Sequence, residues 1–308
     1  MIEEHRRLSV RKSSLLLRSE IIQSIRRFFI EHDYMEVETP CLIPAPAPEA
    51  HIDAVNVGEI YLHTSPELCM KRLLSAGYSR IFQICKCYRE GERGDLHLPE
   101  FTLLEWYHAG INYIDLMTEC EEMILFLSHD TGFGNKIKRR GAEIDLQRPW
   151  DRISVRDAFR RFTSWSMEKA LESDCFDEIM VDEIESNLGK IRPVFLYDYP
   201  SSQGALARHK ADEPDLAERF ELYIGGLELA NAFTELTDAA EQRERFQAEL
   251  VKRRQLGKKV YPIPEKFLES LHFMPPSAGI ALGVDRLVMI FADLKRVDDA
   301  VPFTPEEL

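Results

Sequence analysis

The chain has 308 residues, of which 44% are hydrophobic and 30% charged, a composition typical of soluble globular proteins. Its formal net charge of −14 disfavours broad, sequence-independent binding to nucleic acid, which needs clustered Lys and Arg. The sequence has neither an apolar signal segment nor a run of about 18 apolar residues, so we expect a cytoplasmic protein without a membrane span.

The first half of the chain predicts both helices and strands, without a regular alternation between them. Residues 1–12 are expected to form a polar tail, and a Pro-rich loop is expected at 43–51. The predicted elements are a helix at 14–32, a strand at 59–64, a helix that begins at Pro66 and is stopped by Gly77, a hairpin of strands at 80–88 and 101–108, and a helix at 113–129.

The second half begins with a loop-rich connection at 130–150 and an acidic, partly helical region that extends to about Gly189. Gly225 and Gly226 then separate two alternating runs and predict a two-residue hairpin that pairs Tyr223 with Glu228. The remaining predicted elements are strands at 192–200, 218–224, 227–233 and 279–283, helices at 238–256, 264–273 and 284–294, and a polar tail at 296–308.

Strands that follow strands, with helices outside them, favour an α+β fold with an antiparallel sheet. We expect residues 1–308 to form a single domain of this kind. Neither of the glycine-rich nucleotide-binding patterns of doubly wound and phosphate-loop folds occurs in the sequence.

The six cysteines are scattered, and Cys85 and Cys87 lie two residues apart in a predicted strand, so both point to one face. No Cys-x-x-Cys pair accompanies a histidine, and His63, His97 and His108 are not spaced as metal ligands. The sequence therefore favours free thiols in a reducing compartment over a zinc site.

Charged residues interrupt four apolar blocks, at 64–68, 84–107, 225–238 and 279–287. A buried charge is costly unless it is paired, so these blocks indicate a binding site. Glu105 and Tyr107 share one strand face and can together hold an ammonium group. The alternative is a glutamate paired with a basic residue on a solvated sheet.

The Gly-Gly hairpin predicts that Glu221 and Glu228 converge on one face, where a divalent cation that binds ATP phosphates would relieve their repulsion. The alternative is a pair of surface glutamates at a solvated edge. In a regular strand, Asn231 and Glu235 would point to one face and Glu228 to the other. A bulge near Ala230 is needed to bring all of them to one pocket.

Two arginines and one phenylalanine complete the predicted site. Arg89 ends a strand beside a polar loop and can hold a carboxylate and a phosphate. Arg286 begins a helix and can lie against an aromatic base or reach a phosphate; the alternative is an arginine that caps a sheet edge. Phe101 offers a stacking surface for a purine, with an ordinary core phenylalanine as the alternative.

These blocks, in this order, resemble the catalytic domain of class II aminoacyl-tRNA synthetases. The segment FFIEHDYMEVETP resembles motif 1 of this class. The strand that ends at Arg89, its loop and the strand PEFTLLEWY resemble motif 2, and GIALGVDRL resembles motif 3. TSPEL, EFTLLEWY and LELANAFTELTD resemble the lysyl type. Because the chain starts at the catalytic domain, it looks like a member of the freestanding elongation factor P–(R)-β-lysine ligases.

The resemblance implies an AMP-forming ligase that activates lysine or (R)-β-lysine with ATP and Mg²⁺ and transfers it to a lysine side chain of elongation factor P. It also implies a homodimer, without recognition of a tRNA anticodon. Two other functions stay open: a truncated lysyl-tRNA synthetase-like ligase that acts on tRNA, and a non-catalytic paralogue that binds ATP and an amino acid.

Site residues carry over by position, with Arg89 and Arg286 as the catalytic pair. The amino acid would be bound by Ser65, Pro66, Glu67, Glu105, Tyr107, Asn231, Glu235 and Ala281. ATP would be bound by Arg89, Glu90, Gly91, Leu98, Phe101, Glu228, Leu229, Gly283 and Arg286, and magnesium by Glu221 and Glu228.

The chain departs from the family pattern just after Arg89. The families read Asn-Glu there, whereas this chain reads Glu90-Gly91-Glu92. A shift of the loop would let Glu92 supply the missing carboxylate. Ala281 stands where lysyl-tRNA synthetases usually have glycine, and one added methyl group changes the shape of the pocket.

Overall fold

The computed structural model describes residues 2–204 and 206–308, and the side chains of 5–204 and 206–308. The α-helices in this part are α1 (Ile2–Glu31), α2 (Glu67–Ser75), α3 (Tyr113–Asp130), α4 (Val155–Phe162), α5 (Met167–Glu172), α6 (Phe176–Ile179), α7 (Ala239–Gln255), α8 (Glu265–Ser270) and α9 (Val284–Phe291). The strands are β1 (Met35–Glu36), β2 (Leu42–Ile43), β3 (Asn56–Val57), β4 (Ile60–Leu62), β5 (Arg80–Tyr88), β6 (Glu100–Ala109), β7 (Lys136–Arg139), β8 (Ala142–Asp145), β9 (Asp151–Ser154), β10 (Val194–Pro200), β11 (Leu216–Ile224), β12 (Leu227–Thr234) and β13 (Ser277–Gly283).

A sheet of eight strands forms the centre of the described chain, in the order β1-β5-β6-β13-β12-β11-β10-β9. Within this order, each neighbouring pair in the run β5-β6-β13-β12-β11-β10 is antiparallel, as the sequence predicts. The edge strands differ, because β1 runs parallel to β5 and β9 runs parallel to β10. The fold is therefore α+β, with a mixed rather than a purely antiparallel sheet.

The two faces of the sheet have different environments. Leu104 and Trp106 of β6 are fully buried in a core that includes residues of α1, α3 and α9. Phe29 of α1 stacks on Phe82 of β5 with ring centroids 4.8 Å apart, which fixes this helix against the same face. The alternate residues of β6, including Glu105, point to the opposite face, as strand periodicity predicts.

Both ends of the described chain are ordered, so the polar tails expected at 1–12 and 296–308 are corrected. Helix α1 already begins at Ile2. Arg11 of this helix is only 8% exposed and donates to the Glu307 carboxylate at 2.7 Å and to the Pro302 carbonyl at 3.1 Å. Arg11 and Glu307 are thus paired across the two ends of the chain. The local composition of each end cannot reveal such a pair, because the partners are far apart in sequence.

The region expected to be a loop-rich connection at 130–150 contains a hairpin of β7 and β8.

Among the described residues, no helix is both long enough and apolar enough to cross a membrane.

The Gly225-Gly226 hairpin has the predicted register, with Ile224 opposite Leu227 and Tyr223 opposite Glu228. Both glycines have positive φ, which a two-residue turn of this kind requires. Leu229 is then an extra residue, because Leu222 pairs with Ala230. This bulge confirms the prediction made for the neighbourhood of Ala230, and it places Glu228 and Asn231 on one face.

Candidate active site

The strand register brings a row of site residues together across the sheet. Glu221 pairs with Asn231, Asn231 with Ala281, and Ala281 with Glu105. Directly paired residues of neighbouring strands project to the same face, so residues far apart in sequence form one surface. Four strands, β11, β12, β13 and β6, thus contribute one residue each to the row.

This surface is the floor of a cavity of about 350 Å³. The predicted site residues that line it are Ser65, Glu67, Arg89, Leu98, Phe101, Glu105, Tyr107, Glu221, Glu228, Leu229, Asn231, Ala281, Gly283 and Arg286. The structure therefore brings together residues from all four of the charged blocks.

Four predicted residues lie elsewhere. Pro66 is buried at the start of α2, and Glu235 lies behind the cavity wall. Glu90 and Gly91 are exposed in the loop after β5. Glu92 lines the cavity instead, and its Oε1 lies 3.7 Å from Arg89 Nη1, so its substitution for the family's carboxylate stays a prediction.

Glu105 forms the centre of one end of the cavity. Its side chain is almost fully buried, and it accepts hydrogen bonds from Ser65 Oγ at 2.6 Å and Tyr107 Oη at 2.9 Å. Burial, reinforced by the charge of Glu67, raises the pKa of Glu105 to about 8. A carboxyl group held in this way gains most from a cationic partner in the cavity.

Lys71 lies next to the cavity, although no pattern in the sequence indicates a role for it there. It projects from α2, is 1% exposed, and forms ion pairs with Glu67, at 2.5 Å, and with Glu235. Glu235 was expected to bind the ligand's ammonium directly, but its partner in the structure is the Lys71 ammonium. Burial still raises the pKa of Glu235 to about 8, although Lys71 opposes the shift.

The other end of the cavity carries the arginines. The Arg89 guanidinium lies 5.0 Å from the centre of the Phe101 ring. Arg89 Nε is buried and has no hydrogen-bond partner among the described residues. An unpartnered donor aimed into a partly enclosed site is suited to a ligand oxygen.

Arg286 is fixed by three contacts with two residues, Glu228 and His97. It donates to the Glu228 carbonyl at 2.8 Å and the Glu228 carboxylate at 3.1 Å, and its Nη2 lies 2.6 Å from His97 Nε2. Burial and the charge of Arg286 both lower the pKa of His97, so this imidazole stays neutral and accepts the bond. The guanidinium plane is thereby oriented before any ligand binds.

Glu221 and Glu228 lie on adjacent strands along the same wall. Glu221 accepts hydrogen bonds from Tyr199 at 2.6 Å, Tyr223 at 2.7 Å and Arg219 at 2.6 Å. Burial raises the pKa of Glu221, Arg219 opposes this, and the charge of Glu228 adds to it. Two facing carboxylates whose charges repel provide oxygen ligands suited to Mg²⁺.

Arg219 and Glu49 also line the cavity without having been predicted. Arg219 also donates to Asn231 Oδ1 at 3.0 Å, and its position two residues before Glu221 on the same strand could have identified it. Glu49 comes from the Pro-rich loop, where no periodicity signals a role. Burial raises the pKa of Glu49 to about 7.

Comparison with known proteins agrees with this geometry. The family model for class II tRNA synthetases (D, K and N) matches residues 4–307. An elongation factor P–(R)-β-lysine ligase of Hamiltonella defensa is 36% identical over 311 residues, which cover 96% of this chain and 95% of the relative. The proteins of the same name from Edwardsiella ictaluri and Salmonella arizonae are 36% and 37% identical, with 95% and 94% of each chain covered.

Proposed function

The chain belongs to the class II tRNA synthetase family and, within it, to the elongation factor P–(R)-β-lysine ligases, and we propose that it activates lysine or (R)-β-lysine with ATP and transfers it to a lysine side chain of elongation factor P. The observation that carries this proposal is the polarity of the cavity. A buried acidic end centred on Glu105 faces an end that carries Arg89 and Arg286.

The acidic end is proposed to bind the ammonium groups of the amino acid. Glu105 and Tyr107 offer a carboxylate and a phenol side by side, and Ser65 and Glu67 line the wall next to them. Lys71 neutralises Glu235 behind this wall, so that pair shapes the pocket without requiring a ligand charge. Ala281, opposite Glu105, narrows the floor between the two ends.

Adenylate formation requires the amino-acid carboxylate to attack the α-phosphorus of ATP, releasing pyrophosphate. The carboxylate is already ionised, so this step needs no general base. Arg89 lines the cavity and would hold both the carboxylate and the α-phosphate, while Phe101 and Arg286 would provide flat surfaces for adenine. The rate gain then comes from positioning and from charge stabilisation.

Glu221 and Glu228 would hold magnesium on the same wall, where its charge would offset that of the triphosphate. In the transfer step, the lysine amine of the acceptor attacks the acyl carbon and AMP leaves. The acceptor amine must first lose its proton. Glu49 lines the cavity and has a pKa near neutrality, so it is suited to accept that proton.

The proposal includes a cytoplasmic location, because the acceptor is a translation factor, and a homodimer, because the family resemblance implies one. Apolar Ile30, Met35 and Leu42 are exposed in and next to the segment that resembles motif 1. Exposed apolar residues concentrated in one segment are consistent with an interface between two copies.

A transfer assay tests the proposal. The protein is incubated with ATP, Mg²⁺ and either (R)-β-lysine or lysine, in the presence of elongation factor P, of elongation factor P with its acceptor lysine changed to arginine, or of tRNA. We expect a mass increase of one aminoacyl group on unmodified elongation factor P alone. Charging of tRNA without labelling of elongation factor P, or no transfer to either, would refute it.

A further inference from the structure

A cluster of sulfur and nitrogen atoms lies beside the cavity and has no part in the proposed reaction. The side-chain ligand atoms of His63, Cys85 and Cys87 all lie within 4.8 Å of one another. The two sulfur atoms are 3.9 Å apart, and Cys87 Sγ is 3.9 Å from His63 Nε2. The spacing of these residues in sequence did not predict a metal site, but the fold assembles them.

The backbone explains how His63 reaches the two cysteines. Cys85 and Cys87 share one face of β5 because they are two residues apart. His63 follows β4, and its carbonyl accepts a hydrogen bond from the Tyr88 amide at 3.0 Å. Its own amide donates to the Cys41 carbonyl at 2.8 Å. The backbone of His63 is thus fixed on both sides, which places its side chain next to β5.

The distances fit one tetrahedral cation. With bonds of about 2.3 Å to sulfur and about 2.0 Å to nitrogen, a tetrahedral zinc ion holds two sulfur ligands about 3.8 Å apart and a sulfur and a nitrogen ligand about 3.6 Å apart. Both values lie within a few tenths of an ångström of the separations observed here. The sulfur ligands already lie at a suitable separation, whereas the imidazole must give up its hydrogen bond to the Lys86 carbonyl before an ion can bind.

We propose that His63, Cys85 and Cys87 form a binding site for a thiophilic divalent cation, best matched by Zn²⁺. Two thiolates balance the charge of the divalent ion. The positive charge of Arg89, two residues after Cys87, therefore does not prevent the ion from binding. Cys85 is only half-buried, so a water molecule can supply the fourth ligand.

Binding changes one hydrogen bond of the imidazole. His63 Nε2 lies 2.7 Å from the Lys86 carbonyl, whereas Nδ1 is buried without a hydrogen-bond partner among the described residues. A cation on Nε2 replaces the proton donated to Lys86, and the remaining ring proton resides on Nδ1. A metal bond is thereby exchanged for one neutral hydrogen bond.

The site is distinct from the proposed magnesium site. The two cysteines lie on β5, opposite Leu103 and Phe101 of β6, and these two β6 residues line the cavity. Glu221 and Glu228 lie on other strands, β11 and β12. Sulfur and imidazole ligands select soft or borderline cations, and the glutamate oxygens select hard ones. Excess Mg²⁺ can therefore occupy the glutamates without competing for the cluster.

Cobalt binding to the wild-type protein tests the proposal without relying on any variant. The full chain is reduced, treated with a chelator, placed in excess Mg²⁺ and titrated with Co²⁺. We expect one equivalent to produce thiolate-to-cobalt charge-transfer absorption and the strong visible bands of a tetrahedral ion, both removed by stoichiometric Zn²⁺. Absence of these bands in the reduced protein would overturn the proposal.

Variants assign the ligands. Cys87→Ser and His63→Ala should each weaken Zn²⁺ binding by about 100-fold or more in competition with a chromogenic chelator. Cys175→Ser removes a half-buried cysteine from another part of the molecule and should bind as the wild type does. If Cys87→Ser, with its fold checked by circular dichroism, retains wild-type affinity, the proposed site is wrong.

Discussion

Lys71 is the residue whose contacts say most about how the acidic cavity is kept stable. Its ammonium group is nearly inaccessible to solvent and contacts the carboxylates of both Glu67 and Glu235. The spacing of Glu67 and Lys71 by four residues on α2 is the local signal for one of these pairs. The pair with Glu235 depends on tertiary structure and has no such signal.

Lys71→Met should destabilise the protein by about 3–5 kcal/mol, because it leaves buried carboxylates without a counter-charge. Urea unfolding followed by fluorescence measures the effect. The matched control is Lys136→Met, which removes an exposed ion pair with Glu143 and should leave the midpoint unchanged. A Lys71→Met midpoint equal to that of the wild type would show that the carboxylates do not depend on Lys71.

Glu105 makes lysine binding depend on pH. Its pKa in the free protein is about 8, against an ordinary value of 4.5, so its proton is bound more tightly in the folded state. The stability linked to this proton is therefore present below pH 4.5 and lost as the pH rises towards 8. A cationic ligand needs the ionised form, so its affinity should rise as the pH goes from 6 to 8.

Calorimetric titration with lysine at pH 6, 7 and 8 measures this dependence. Affinity should increase by as much as about tenfold per pH unit in the wild type, and the slope should be shallower in Glu105→Gln. Glu100→Gln changes an exposed glutamate on the same strand and should keep the wild-type slope. Equal slopes for wild type and Glu105→Gln would assign the titration to another group.

At the scale of elements, the bulge at Leu229 decides which side chains reach the cavity. Strand alternation alone places Glu228 and Asn231 on opposite faces, and the extra residue returns them to the same one. The sequence could indicate that a bulge was needed, because one regular strand cannot turn Glu228, Asn231 and Glu235 to the same face. It could not fix the bulge at Leu229, since Ala230 and Leu229 are similar apolar residues.

Strand β13 offers a test at this scale. A Cβ atom on Gly279 would lie within 3.0 Å of the Tyr107 ring and the Glu235 carboxylate, so this glycine allows both side chains to pack at the end of the cavity. Gly279→Ala should weaken lysine binding by about 5- to 150-fold, which corresponds to an overpacking cost of about 1–3 kcal/mol. The measurement is again calorimetric titration with lysine.

Gly283→Ala is the matched control on the same strand, because its Cβ atom would meet Arg286 at an ordinary distance of 3.7 Å. This variant should retain lysine affinity. If the two substitutions have the same effect, close packing at Gly279 is not what shapes the amino-acid end.

For the whole molecule, local sequence patterns predict elements better than they predict neighbours. Alternating residues predict the hairpins of β5 with β6 and of β11 with β12 close to their observed bounds. They do not predict that β1, only two residues long, runs parallel to β5, or that Arg11 pairs with Glu307. Such contacts depend on chain closure over long distances, which has no periodicity.

The same distinction applies to the cavity. Charges placed within strands identify most of its lining, because a buried carboxylate is unusual enough to signal a site. Glu49 lies in an irregular loop, and His63 joins Cys85 and Cys87 only after the sheet has formed. Neither could be recognised from spacing along the chain.

The most direct test of the account is ATP–pyrophosphate exchange with three amino acids: (R)-β-lysine, lysine and norleucine. The central claim is that buried carboxylates select a second ammonium group beside the ATP end of the cavity. Exchange should occur with at least one lysine isomer and fall by roughly 10³-fold or more with norleucine, which leaves the carboxylates unpaired. Equal exchange with norleucine, or none with either lysine isomer, would contradict the claim.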